Sequence, residues 1–288
     1  MILVVGSYNV DYFVVVEKLP SPGETVRVLR TFSAHGGKGS NQAVSARRLG
    51  SQVRFIGAVG SDDAGEIALK FWREESVDSS FVRVKQGVPT GKAIILVDRE
   101  GRNEIAVEPG ANMELSPEDV EQGLDFGRVL LTQLEIPEET VKYALERYPG
   151  LKILNPAPAV LKDVNVLGLA DILTPNEVEA TALAGTSEIP LAAERLARKA
   201  KVAAIVTLGP NGVLAVTRDG RRIRVEGIKV RVVDETGAGD VFNAALAVFL
   251  SRGYDLEVAI EKANRVAAHS VTIYGALGPK WEEVKDEV

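Results

Sequence analysis

The chain contains no cysteine, so neither a disulfide framework nor a thiolate metal centre can form part of it. Its only histidines are His35 and His269, which argues against a histidine-rich metal site as well. No apolar stretch approaches the ~18 residues that a transmembrane helix needs. The opening Met1-Ile2-Leu3-Val4-Val5-Gly6 lacks the basic segment and the length of a signal peptide, so the cytoplasm is the expected location. A formal net charge of −6 weighs against a general affinity for nucleic acid or anionic membrane. Internal repeats, low-complexity segments and domain linkers are also missing, so residues 1–288 are expected to form a single domain. What is present is an ordinary globular composition, 45% hydrophobic and 26% charged, in a chain long enough to bury a large core. The expected partner is therefore a small molecule.

The most informative stretch is Asp234-Glu235-Thr236-Gly237-Ala238-Gly239-Asp240, which runs into the apolar segment Val241–Leu250. Glycines and small residues let a turn present several backbone N–H groups, and the alanine-rich run behind it favours a helix. Free donors and the positive end of the helix dipole then converge on one spot, where a phosphate would sit well. Asp240 stands where turn becomes helix, within a side chain's reach of such a phosphate, as a base beside an electrophile. The competing reading is that Asp240 simply caps the helix.

From the N-terminus, Ile2–Val5 reads as a buried strand of a parallel sheet ending at Gly6. The loop expected beyond it carries Asn9 and Asp11, placed either to bond a polar ligand or to make Asx turns. Phe13–Val16 and Glu24–Phe32 read as two strands around the turn Leu19-Pro20-Ser21-Pro22-Gly23. His35-Gly36-Gly37-Lys38-Gly39-Ser40-Asn41 is a glycine turn opening a helix that closes at Gly50, with Lys38 and Asn41 as donors for hydroxyls and His35 as a structural residue. It is not a Walker A loop, since Lys38 is followed by Gly39 and Phe32 occupies the place of the first glycine.

Val53–Gly60 reads as the next strand and Ala64–Glu75 as a helix. Phe81–Val84, Ala93–Asp98 and Asn103–Val107 follow as short strands with no helix between them. Residues 12–32 and 81–108 are thus expected to build a small second sheet that covers the pocket as a lid and pairs with a second subunit's. The α/β rhythm then resumes, with Glu135 just past the strand at Val129–Leu131. Asn176 and Glu179, three apart at a helix start, could order hydrated magnesium or merely terminate a surface helix. Ala203–Val213 reads as strand, glycine turn and return strand, a turn suited to nucleotide phosphate or ribose, and Leu256–Ser270 as a helix carrying Asn264.

These motifs, in this order, closely resemble the phosphofructokinase-B-type carbohydrate kinases of the ribokinase group, nearly end to end. Gly6-Ser7-Tyr8-Asn9-Val10-Asp11, Gly36-Gly37-Lys38-Gly39-Ser40-Asn41-Gln42-Ala43, Gln133-Leu134-Glu135-Ile136-Pro137, Asn155-Pro156-Ala157-Pro158, Pro175-Asn176-Glu177-Val178-Glu179, Thr207-Leu208-Gly209 and the Asp234–Asp240 stretch carry the likeness. The resemblance implies a ribokinase-like three-layer α/β/α sandwich with a mostly parallel central sheet and a small β-sheet lid. It implies ATP-dependent phosphorylation of ribose at its 5-hydroxyl, with a nucleoside, fructose or sugar-acid kinase, or a silent sugar-binding protein, as the alternatives.

By the same resemblance, Asn9, Asp11, Gly37, Lys38, Asn41 and Glu135 bind the sugar, Asp240 is the base, and Gly237, Ala238 and Gly239 form the anion hole. Asn176, Thr207, Gly209, Gly212, Gly239 and Asn264 contact ATP, and Asn176 and Glu179 organise Mg2+ through water. Asp234, Thr236, Ser270, Ile273 and Gly275 match a loop that holds K+, although Pro279 and Glu235 depart from the family's usual residues there.

Overall fold

A computed structural model describes residues 1–288. In chain order its first part runs β1 (Ile2–Val5), β2 (Asn9–Val16), β3 (Val28–Gly36), α1 (Lys38–Arg48), β4 (Val53–Ile56), β5 (Ala58–Gly60) and α2 (Asp63–Glu74). There follow β6 (Arg83–Lys85), β7 (Lys92–Val97), β8 (Asn103–Glu108), α3 (Pro117–Glu121), β9 (Val129–Thr132), α4 (Glu138–Arg147), β10 (Leu151–Leu154) and β11 (Ile172–Leu173). The rest is α5 (Glu177–Ala184), α6 (Ile189–Lys199), β12 (Ala203–Thr207), β13 (Val213–Thr217), β14 (Arg222–Val225), α7 (Ala238–Ser251), α8 (Leu256–Ser270) and α9 (Trp281–Val284).

Eight strands form the central sheet in the order β14-β13-β12-β11-β10-β9-β1-β4. All neighbours from β4 to β12 pair in parallel, and only β13 and β14 are antiparallel. Because the side chains of a strand alternate between faces, a sheet covered on both sides needs apolar residues at every position. β1 meets that demand: Ile2 and Val4 enter the core beneath α1, α7 and α8, while Leu3 and Val5 enter the core beneath α4, α5 and α6. The result is the three-layer α/β/α sandwich, with the carboxyl ends of its parallel strands along one edge, where ligands of such sheets bind. No helix is long and apolar enough to cross a membrane.

A second, four-stranded sheet in the order β3-β2-β7-β8 stands beside this edge. It differs from the sequence expectation in three ways. Asn9 and Asp11 lie within β2 rather than in a loop, because β2 starts at once and pairs from Asn9↔Gly36 onward. Its partner is accordingly β3 at Val28–Gly36, not Glu24–Phe32. Third, the Phe81–Val84 segment does not join it. Gly57 breaks Val53–Gly60 into two strands, and the second of them, β5, leaves the main sheet to pair with β6.

Candidate active site

Gly37 links the small sheet to α1. Its φ of 83° is a left-handed conformation, and a Cβ there would lie 2.6 Å from the Tyr8 Cα, so glycine alone lets the two backbones meet. The turn sets Lys38 against Glu135 and Asn41 against Asp240, and Gly36 just before it pairs with Asn9 of β2. Glu135 is tied on one oxygen, Oε2, which accepts from the Ser7 hydroxyl and from the Lys38 backbone N–H at 3.0 Å. Asn9 makes no Asx turn. Its buried Oδ1 accepts from Asn112 Nδ2 at 3.0 Å, and Asn112 also clamps the Tyr8 backbone, accepting from its N–H and donating to its carbonyl, both at 2.9 Å. Asn41 Oδ1 is buried and has no hydrogen-bond partner within the protein, a status it shares with Thr132 Oγ1 and Gln133 Oε1.

Asp240 is not a helix cap. Gly237, with φ 74° and ψ 4°, is the N-cap of α7, and Asp240 lies in its first turn, buried. Its carboxylate is held edge-on by two amides, Asn41 Nδ2 donating to Oδ2 at 3.1 Å and Gln42 Nε2 to Oδ1 at 2.9 Å. Burial pushes Asp240 above the usual carboxylate range, against the pull of Lys38 and of both amides. Asp11 is pushed up to about 7, first by burial and then by Glu135 and Asp240. Burial alone would lower Lys38, but Asp240, Glu135 and Glu179 outweigh it and hold the ammonium above its ordinary value. One cation thus faces a group of carboxylates, an arrangement suited to a polyol with many hydroxyl donors.

On the other side of the α7 N-terminus lies a cavity of about 460 Å³ lined by Thr207, Gly209, Gly212, Ala238, Gly239 and Asn264 among others. A Cβ on Gly237 would strike the Ala276 carbonyl at 2.4 Å, whereas one on Gly239 would meet nothing within 4 Å and would fill open space in front of the helix dipole. That space fits a phosphate. Asn176 lies outside the cavity wall, paired with Thr207 by a single parallel bridge. Asn176 and Glu179 do terminate the helix: they form a capping box, Asn176 Oδ1 accepting from the Glu179 N–H at 2.8 Å and Glu179 Oε2 from the Asn176 N–H at 2.9 Å. Each side chain keeps one polar end free, which suits contact with the water shell of a metal ion better than direct ligation.

The loop residues of the expected K+ site also converge. Asp234 accepts from the N–H of Thr236 at 3.0 Å and of Gly275 at 2.9 Å, clasping two loops that Val233 and Asp234 also join to the Val271 carbonyl. Ile273 follows in the second loop, while the Ser270 hydroxyl turns away to donate to the Ala267 carbonyl.

The model of the pfkB family of carbohydrate kinases matches residues 1–283. The chain belongs to this family. A ribokinase of Haemophilus influenzae is 37% identical over 287 residues, covering 95% of this chain and 92% of that one. The crystal structure of ribokinase from Thermotoga maritima superposes with a TM-score of 0.93 at 37% identity, covering 99% of this chain and 98% of the other. That of Arabidopsis thaliana ribokinase complexed with ribose and ATP gives a TM-score of 0.89 at 30% identity, covering 99% and 97%.

Several residues of this carbohydrate kinase site carried no local signal in the sequence. Asn112 is separated by 104 positions from the Tyr8 backbone it clamps. The apolar wall of the cavity, including Val213, Val230, Val232, Phe242 and Val271, comes from four separate segments and reads as ordinary core. Asn264, expected to contact ATP, lines the cavity with one Nδ2 donor held by the Glu226 carbonyl at 3.0 Å.

Proposed function

We propose that the chain transfers the γ-phosphoryl group of ATP to the 5-hydroxyl of D-ribose, giving ribose 5-phosphate and ADP. One observation carries this reading: Asp240 sits at the boundary between a polar pocket rich in hydroxyl partners and a nucleotide-sized cavity, in the first turn of a helix whose N-terminus opens on that boundary. Phosphoryl transfer asks a protein for alignment and charge stabilisation rather than covalent chemistry.

In this reading Asn9, Asp11, Lys38, Asn41 and Glu135 hold the sugar, with Gly37 allowing its close approach. Asp240 accepts the proton of the 5-hydroxyl as the new P–O bond forms and the bond to the ADP oxygen breaks. The N–H groups of the Gly237-Ala238-Gly239 turn stabilise the charge that spreads over the phosphoryl oxygens. Thr207, Gly209, Gly212 and the apolar wall hold the nucleotide. Mg2+ ordered through water by Asn176 and Glu179 would neutralise phosphate charge, and K+ between the 234–236 and 270–275 loops would brace the anion turn.

The small sheet covers the sugar as a lid. Its face that carries Asp11 also carries Phe13, Phe32, Ile105 and Val107, with the two phenylalanine rings stacked at 4.7 Å and Ile105 and Val107 each 57% exposed. A second copy of this face is the partner we infer, making a homodimer in the cytoplasm; sedimentation showing only monomer at micromolar concentration would remove that inference. For the reaction itself, ATP consumption should depend on added ribose and exceed that with 2-deoxyribose, fructose or nucleosides. Equal or greater turnover with one of those acceptors would reassign the substrate.

A further inference from the structure

Behind Asp240 lies a polar network that the transfer chemistry does not itself require. Gln133 Nε2 donates to Gln42 Oε1, and Gln42 Nε2 donates both to Asp240 Oδ1 at 2.9 Å and to Asn155 Oδ1 at 3.1 Å. Asn155 Nδ2 donates to the Thr174 carbonyl at 2.9 Å, the Thr174 hydroxyl donates to Asn243 Oδ1, and Asn243 Nδ2 donates to the Gly239 carbonyl at 2.8 Å. All five side chains are buried. Buried polar groups cost stability unless they are paired, and an apolar core could have filled this volume.

The placement of these residues explains what the network does. Gln133, Asn155 and Thr174 directly follow β9, β10 and β11, while Asn243 belongs to α7 and Gln42 to α1. Two residues beyond Gln133 and Thr174 stand Glu135 and Asn176, the groups assigned to sugar and to hydrated metal. The network therefore ties the first turn of α7 to the strand ends that carry the ligand groups. Apart from Asp240 it contains no titratable side chain, so it can grip the base without competing for its proton.

We propose that Gln42 and Asn243 are positioning residues for the transfer, the two ends of a buried amide network that fixes the Asp240 carboxylate and the Gly239 turn against the strand ends bearing the sugar and metal groups. The proposal rests on the kinase reading above. Gln42 grips one oxygen of Asp240 and leaves the other, Oδ2, on the side of Asn41 and the sugar.

The groups facing Asp240 from surrounding elements are Lys38 on α1, Glu135 after β9, Asp11 on β2 and Glu179 on α5, and all of them stay in place when Gln42 is changed. Removing the Gln42 donor leaves the Asp240 anion with one hydrogen bond fewer, which raises the pH at which it ionises. In Gln42→Met, of similar volume, the acid limb of the kcat profile should move up by about one pH unit. In Gln42→Glu, which sets a second carboxyl against the base, it should move further.

Above the limb, kcat of Gln42→Met should stay about tenfold lowered, because the carboxylate is held less firmly, while KM for ribose changes by less than about threefold, because the sugar contacts are untouched. In a double-mutant cycle, Gln42→Met and Asn243→Leu should lose less kcat together than the product of their separate losses, as members of one network do. An unshifted acid limb in a Gln42→Met protein that remains folded, or strict additivity of the pair, overturns the proposal. Absence of ribose-dependent ATP turnover in the unsubstituted protein would instead overturn the kinase reading.

Discussion

The two halves of the site are built on opposite plans. On the sugar side three of the polar side chains are already held by partners distant in sequence: Glu135 by Ser7 and the Lys38 backbone, Asn9 by Asn112, Asp240 by Asn41 and Gln42. On the nucleotide side about half of the wall is apolar, from Val213, Ile228, Val230, Val232, Phe242 and Val271 among others, and one donor of Asn264 is held by the Glu226 carbonyl. Groups held in advance cost little to order when ligand binds, and they reject ligands whose hydroxyls do not match. An apolar slot supplies area with little directional demand. We therefore propose that acceptor choice rests on side chains and donor binding more on shape and backbone.

This contrast is sharpened first on the sugar side. Asp11→Asn removes the charged acceptor proposed for ribose hydroxyls, and a hydrogen bond to a charged group is worth about 1.5–3 kcal/mol, so KM for ribose should rise about 10- to 100-fold. The same change should raise thermal stability. Asp11 is held at about 7 in the fold, above its ordinary carboxylate value of 3.8, so the native state binds the extra proton and ionisation destabilises the fold as pH rises between those values. At pH 8 that cost is fully present, and the asparagine variant should melt a few degrees higher by calorimetry, the gap closing as pH falls towards 4. In the unsubstituted enzyme, KM for ribose should increase as pH drops below about 7 and Asp11 becomes neutral. A variant with unchanged KM would show that Asp11 does not touch the sugar.

The nucleotide side should respond less. Asn264→Ala removes an uncharged side chain already held on one side by the Glu226 carbonyl, so KM for ATP should change by less than about fivefold, the worth of one neutral hydrogen bond. A loss of a hundredfold would mean that this half reads its ligand through side chains too, and the contrast would fail.

Legibility in the sequence followed the range of the interactions. The turn around Gly237 to Asp240, the glycines ahead of Lys38 and the parallel strands could be read because their determinants are contiguous: small residues at a turn, a helix-forming run, a block of β-branched residues. The lid strands were displaced because exposed β3 carries no clear alternation of burial, so its register is set by pairing with β2 rather than by its own pattern. Phe81–Val84 resembled a lid strand for the same reason: nothing local records that β5 turns away at Gly57 to meet β6. Gln42 could be seen as part of a motif, but its bond to Asp240 spans 198 positions, and Asn112 lies outside every motif. That Asp240 does not cap the helix is seen only in the fold, which makes Gly237 the N-cap and gives the carboxylate Asn41 and Gln42 as partners.

The central claim is that Asp240 takes the proton of the attacking sugar hydroxyl. The most direct measurement is the steady-state kinetics of Asp240→Asn, which keeps the shape of the side chain and removes its basicity. A general base contributes about 10²- to 10⁴-fold, so kcat should fall by at least ~10² while ribose affinity stays within about tenfold. Near-normal turnover in that variant would contradict the account.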